Sequence, residues 1–204
     1  RRLGETYIVR TVNPERGTIP DDIDVLLVAG PDNLDRPSQQ AIDQFLMRGG
    51  AVVLLVGKYR IDFDAPPTSI ALETVDPGLS KLLDQYGVEV ATSLVLDEDN
   101  DVFPMPSVRK VGGSTRREIE RLDYPFFVRV SEDGMKQGGL ITGNLGPVIM
   151  HWSSPVSVTE AGAEGREVTE LLRSTGDAWL RTDIGAQPDF ATYPRGLFAA
   201  PGLR

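Results

Sequence analysis

The sequence contains no cysteine. That removes thiol nucleophiles, zinc–thiolate sites and disulfides together. It contains one histidine, His151, so no multi-histidine metal site can be assembled from it. No run approaches the roughly 18 consecutive apolar residues that a membrane-crossing helix needs. The opening "RRLGETYIVR" passes straight into a strand-like pattern, without the apolar core of a signal peptide. Positive charge is scarce too: 21 Lys and Arg stand against 30 Asp and Glu, a formal charge of −9. An acidic surface of this kind does not attract a phosphate backbone, so nucleic acid is not an expected partner. Internal repeats and low-complexity segments are lacking.

What is present is an ordinary globular balance, 40% hydrophobic and 25% charged over 204 residues, which is enough for one substantial core. "TYIVRTV" (Thr6 to Val12) is rich in β-branched and aromatic residues and predicts a strand. Asp24 to Ala29 is almost wholly apolar, as is "AVVLLVG" from Ala51 to Gly57. Uninterrupted Val/Leu runs predict strands buried on both faces, as in a parallel sheet. Between them, Pro37 suits a first helical turn, Ala41, Ile42, Phe45 and Leu46 fall on one helical face, and Gly49-Gly50 supplies the stop. Strand, helix and strand form a βαβ unit, with the two apolar strands as adjacent centres of a parallel sheet.

Farther on, "DAPPTS" predicts a loop. Leu79, Leu82, Leu83 and Tyr86 predict a second amphipathic helix that stops at Gly87, and Ser93 to Asp97 a short strand. Glu98 to Glu120 is polar, with prolines and a Gly-Gly, and is expected to leave the main sheet. The last third is β-rich: Tyr124 to Val130 and Gly146 to Val158 predict strands, and Glu167 to Ser174 a strand or short helix. The end, from Gly185, has a loop-like composition.

The order of these landmarks resembles a known family. "IPDDIDVLLVAGP", "AIDQFLMRGGAVVLLV", "LLDQYGVEV" with "LVLDEDN", "YPFFVRV", "ITGNLGPVIMHWSSPV" and "LLRSTGDAWL" follow one another as in ABC-transporter auxiliary proteins of the gliding-motility (GldG) type. The resemblance runs from about Thr6 to about Trp179. It implies a single extracytoplasmic domain, on the periplasmic or cell-surface side. Membrane anchors and one further N-terminal strand are expected outside these residues. The implied partners are an ABC permease and its ATPase, with an extracellular protein or glycan as a possible ligand. The implied fold is α/β and flavodoxin-like, a three-layer sandwich with a mainly parallel sheet, related to class I glutamine amidotransferases, plus a β-rich C-terminal excursion. No cofactor is implied.

In a doubly wound sheet, ligands sit beyond the carboxyl ends of the strands. Pro31, Asp32 and Asn33 follow the first apolar strand, and Lys58 and Tyr59 follow the second. These five are the candidate ligand-binding residues. The glycine spacing of a phosphate-binding loop is absent, Pro31 has no N–H to offer, and Asp32 and Asn33 also suit plain turn chemistry. Amidotransferase-like enzymes keep a nucleophilic cysteine after the second strand, where this sequence has Gly57-Lys58-Tyr59-Arg60. The expectation is therefore a non-catalytic binding domain. The alternative is a hydrolase using carboxylates and His151, but His151, Ser153 and Ser154 lie too close along one strand for triad geometry, and no G-x-S-x-G elbow exists.

Asp97, Asp99 and Asp101 have calcium-loop spacing, but Val102 and Val108 stand where such a loop needs Gly and Glu, so no metal is expected. Arg109, Lys110, Arg116 and Arg117, with Arg121 nearby, make a basic patch in an acidic protein. The first four are the candidate partner-binding residues, facing an acidic partner or anionic lipid.

Overall fold

The computed structural model describes residues 3–62, 71–111 and 114–186. In chain order the elements are α1 (Leu3–Thr6), a 3₁₀ turn (Pro14–Arg16), β1 (Val25–Ala29), α2 (Arg36–Met47), β2 (Ala51–Leu55), β3 (Tyr59–Ile61) and β4 (Leu72–Thr74). Then come α3 (Ser80–Gln85), β5 (Val88–Val90), β6 (Leu94–Leu96), β7 (Asn100–Val111) and β8 (Ser114–Val130). A second 3₁₀ turn (Glu132–Gly134), β9 (Val148–His151), β10 (Val156–Val158), α4 (Glu160–Ala163) and β11 (Trp179–Arg181) complete the order.

The βαβ unit forms where the sequence places it. β1 and β2 pair in parallel, in register from Val25 opposite Ala51 to Ala29 opposite Leu55. The Asp35 carboxylate caps α2 by accepting the Ser38 N–H at 2.9 Å, which satisfies one of the free donors at the helix start. Gly49 ends the helix region with φ +88°. At Gly50 a Cβ would lie 2.4 Å from the Phe45 ring, so the second glycine lets the helix fold back onto its own apolar face.

The flavodoxin-like expectation is overturned. β1–β2 is a sheet of two strands, and the other paired strands lie in β3–β4, β5–β10, β6–β11 and β7–β8–β9, all antiparallel. A doubly wound sheet needs repeated helical crossovers. Here β3 and β4 come back as an antiparallel pair, and α3 leads into β5, whose partner β10 arrives from far along the chain. Nor are β1 and β2 central strands buried on both faces. Their burial alternates: Leu26, Val28, Val52 and Leu54 pack on the α2–α3 core, whereas Val25, Leu27, Val53 and Leu55 are exposed on the opposite face.

Three further expectations are corrected. Thr6 to Val12 forms no strand: Tyr7, Ile8 and Val9 are exposed, and the stretch is held by the Arg10–Asp22 ion pair at 2.7 Å and by Val12 against the core. Strand propensity without a pairing edge does not make a strand. Gly146 to Val158 is broken into β9 and β10 at Trp152, whose φ of +46° no strand tolerates. Glu167 to Ser174 is neither strand nor helix and contributes one isolated bridge, Leu172 with Met135. The "DAPPTS" loop and the tail beyond Ala186 lie outside the described residues.

Two main cores result. One joins Ile19, Ala41, Ile42 and Phe45 to Leu79, Leu82 and Leu83. The other is aromatic, with Tyr124, Phe126 and Phe127 packed on Leu94, Leu96, Tyr59 and Leu72. Phe103 and Trp152 close around Tyr124 at ring-centroid distances of 5.1 and 6.3 Å. The excursion after Glu98 is a long hairpin: β7 and β8 pair from Val102–Asp123 to Val111–Ser114. Pro104 and Pro106 lie in β7, the outer strand of its sheet, where proline is tolerated.

Candidate functional site

The loop after β1 meets the loop before α3 directly beyond the strand ends. Asn33 adopts φ +50°, a conformation Asn tolerates better than most residues. Its N–H donates to the Asp76 carbonyl at 2.7 Å, and the Leu34 N–H donates to Pro77 at 3.3 Å. Gly78, with φ +68°, lies so close that a Cβ there would be 2.4 Å from the Leu34 nitrogen. Pro77 is fully buried. The crevice beside the carboxyl ends of β1 and β2 is thus filled by the chain itself.

The candidate ligand residues are tied into this closure. Asp32 pairs with Arg60 of β3 at 2.7 Å, and Arg60 also reaches Glu73 of β4 at 2.5 Å. Glu73 first, and then Asp32, hold the guanidinium charged above its ordinary range. Lys58 is held through its backbone: its N–H donates to Ser154 Oγ at 3.2 Å and its carbonyl accepts from Val75. Tyr59 is a core residue, packed with Leu72, Phe126 and Tyr124, and does not face a ligand. Burial raises its phenol pKa, with the Asp183 charge adding to the effect. Strand alternation explains the difference, since β3 starts at Tyr59 and turns it inward while Arg60 turns out. Pro31, Asp32 and Asn33 share one loop, but Lys58 and Tyr59 do not converge with them on an open cavity.

The space that does open lies directly beside this closure, and Asn33, Leu34, Asp76 and Gly78 form part of its wall. A cavity of about 600 Å³ sits between α2 and α3. Arg36, Gln39, Asp43, Asp76, Lys81 and Gln85 give it a mixed-charge, amide-rich wall. The Tyr86 hydroxyl donates to Asp43 at 2.9 Å and bridges the two helices. Sequence reasoning missed these residues because all but the loop residue Asp76 lie on the polar side of an amphipathic helix, where solvent exposure is the ordinary expectation.

His151 is exposed and packs its ring on Phe127, centroids 4.1 Å apart. Among the described residues no hydrogen bond joins it to Ser153 or Ser154. The Ser154 hydroxyl serves Lys58, and the Ser153 carbonyl accepts from Val95. The acidic triplet also resolves into structural contacts. Asp97 is buried and accepts from Thr175, while Asp99 and Asp101 flank Arg129 at 3.6 Å each. Among the described residues no acidic or histidine cluster suits a metal ion.

The hairpin brings the basic candidates together. Its register sets Arg109 opposite Arg116, with Lys110 opposite Thr115 and Val108 opposite Arg117. Arg116 is well exposed and has Glu118 at 3.3 Å. Ile119, Glu120 and Arg121 on the same stretch are exposed, so this part of the hairpin stands off the cores.

The family described as an ABC-type uncharacterized transport system matches residues 1–196 of the chain. No curated protein and no solved structure matches it. Among the described residues no helix is long and apolar enough to cross a membrane.

Proposed function

Because the chain belongs to the ABC-type uncharacterized transport system family, whose members are auxiliary components of such systems, we propose that it is a non-catalytic binding domain of an auxiliary subunit. In this reading it works on the extracytoplasmic side, held at the cytoplasmic membrane by segments outside these residues, and associates with a permease and an ATPase. In this reading the system is of the gliding-motility type. The observation that carries the reading is the closed crevice. The Asn33–Asp76 and Leu34–Pro77 bonds, with buried Pro77, fill the space directly beyond β1, where the doubly wound fold expected from the sequence would hold a substrate. A scaffold needs no such space, and a hydrolase does.

Affinity isolation of the tagged chain from native membranes tests the reading. Permease and ATPase subunits are expected with it, and the purified chain is expected to show no amidase, esterase or glycosidase turnover. Turnover that disappears in His151→Ala or Lys58→Ala, with circular dichroism unchanged, would reverse the conclusion.

The cavity between α2 and α3 favours a second reading, in which the domain binds a small hydroxyl-rich ligand such as a glycan. Its amides can both donate to and accept from hydroxyl groups, Arg36 and Lys81 can donate, and Asp43 and Asp76 can accept. Calorimetric titration with short neutral oligosaccharides, compared between the native chain and Gln39→Ala/Gln85→Ala, decides that reading. Equal heats in the two proteins would reject it.

A further inference from the structure

The outer half of the β7–β8 hairpin carries four cations and no acid between Val108 and Arg117, in a chain whose formal charge is −9. The register concentrates them at one end: Arg109 faces Arg116, Lys110 precedes the last strand pair, and Arg117 lies one position farther from the tip. Like charges directly opposite each other weaken a strand pair. Glu118, 3.3 Å from Arg116, offsets only part of this charge.

Distance from the body matters as much as sign. From the Phe103–Leu122 pair, where the core begins, to Val111–Ser114 is eight residue steps in the register. At the rise of an antiparallel strand that is about 27 Å. The Debye length is about 8 Å at physiological salt. Measured along the strands, the core is therefore several screening lengths from the tip, and only Glu118 and Glu120 carry negative charge on the arm between them.

We propose that the tip of this arm is a contact for the anionic phospholipid headgroups of a bilayer. A bilayer surface is a diffuse field of negative charge that asks for no groove and no shape match. A two-stranded ribbon ending in four basic residues offers neither, and it offers the charge. An anionic membrane repels the acidic body, so the arm is the part of the molecule that can approach it. The inference rests on the proposed role in a membrane complex. Its test is independent, because binding to protein-free vesicles does not depend on a permease.

The salt dependence of the purified chain on vesicles is the diagnostic. At about 0.1 M salt, where the screening length is about 10 Å, the chain is expected to sediment with phosphatidylglycerol–phosphatidylcholine vesicles and not with phosphatidylcholine alone. At about 1 M the contact is screened and binding is lost. At about 0.01 M the screening length reaches about 30 Å, the repulsion of the body extends as far as the arm is long, and binding falls again.

Each basic side chain at such a surface is worth about fivefold in partitioning. Arg116→Gln/Arg117→Gln should therefore weaken binding about 25-fold, with circular dichroism unchanged. Arg109→Gln/Lys110→Gln, on the other strand, should do the same and guards against a folding defect in one pair. Equal binding to both vesicle types, binding kept by both variants, or binding that only strengthens down to 0.01 M would each overturn the proposal. So would indifference to vesicles with the tip cross-linking instead to an acidic protein.

Discussion

Thr175 gives both its N–H and its hydroxyl to the Asp97 carboxylate, at 2.7 and 2.6 Å, across 78 residues of sequence. Asp97 is fully buried at the end of β6 and also accepts the Asp99 N–H. This one carboxylate fastens the otherwise irregular stretch before β11 to the middle of the fold. Removing it would take the charged acceptor from these partly buried donors. We expect Asp97→Ala to cost about 3 kcal/mol, from the value of hydrogen bonds to charged groups, and Thr175→Val to cost less, because Asp97 keeps its own-loop partner. Urea unfolding of the two variants measures both. Equal, small losses would show that the contact contributes little.

Asp97 also illustrates what the sequence conceals. Its spacing with Asp99 and Asp101 is visible in the chain, but with Val102 and Val108 at the two positions a calcium loop needs it reads as a plain acidic loop, not as a latch. Thr175 is too distant in sequence to be paired with it by any local rule. By contrast, the β1–α2–β2 unit is legible because its signals are local: helical spacing of Ala41, Ile42 and Phe45, and a glycine stop. What misled was the reading of apolar content as two-sided burial. Val25 and Leu27 are as apolar as Leu26 and Val28, and only the number of strands decides whether their face is covered. The candidate site divided in the same way. The loop Pro31–Asn33 was placed correctly beyond β1, whereas its closure by Asp76 and Pro77, and the inward turn of Tyr59, depend on contacts and alternation outside the loop itself.

Gly162 of α4 and Gly87 after α3 pack backbone to backbone. A Cβ on Gly162 would lie 2.4 Å from the Gly87 Cα. Helix propensity alone says Gly162→Ala should stabilise by about 1 kcal/mol. Overpacking says it should destabilise by about 1–3 kcal/mol, and with backbone as the obstacle there is no flexible side chain to yield. Net destabilisation is expected in thermal melting. A raised melting temperature would show that α4 docks more loosely than these distances imply.

The two faces of the β1–β2 pair should respond differently to substitution. Leu27 is 48% exposed and Val53 45%. Leu27→Thr and Val53→Thr are expected to change stability by less than about 0.5 kcal/mol, as surface substitutions do. Leu54→Ala, on the face against the α2–α3 core, should cost about 2 kcal/mol. A large loss from either threonine variant would mean that the outer face is covered in the intact protein, and would restore the two-sided burial the apolar runs suggest.

Alkaline pH should unfold the protein through Tyr124. Its ring is fully buried, its hydroxyl donates to the Ala186 carbonyl at 2.7 Å, and it accepts from Trp152 Nε1 at 3.2 Å. Burial pushes its phenol pKa well above the ordinary value, against the smaller opposing pull of the Trp152 N–H and the Arg181 charge. The unfolded phenol titrates near pH 10. Below that pH both states hold the proton, and the preference for the neutral form is fully present. As pH rises through 10 the unfolded chain releases a proton that the folded chain keeps, so stability falls by up to about 1.4 kcal/mol per pH unit for this one group. Tyr59 and Tyr86 are shifted in the same direction and add to the slope. Tyr124→Phe should cost about 1–3 kcal/mol at neutral pH, from the partners it leaves unpaired, and should flatten the alkaline loss without abolishing it. Urea midpoints between about pH 9 and 11, with tyrosinate absorbance followed in parallel, measure both effects. An alkaline slope equally steep in Tyr124→Phe would place the responsible proton on another group.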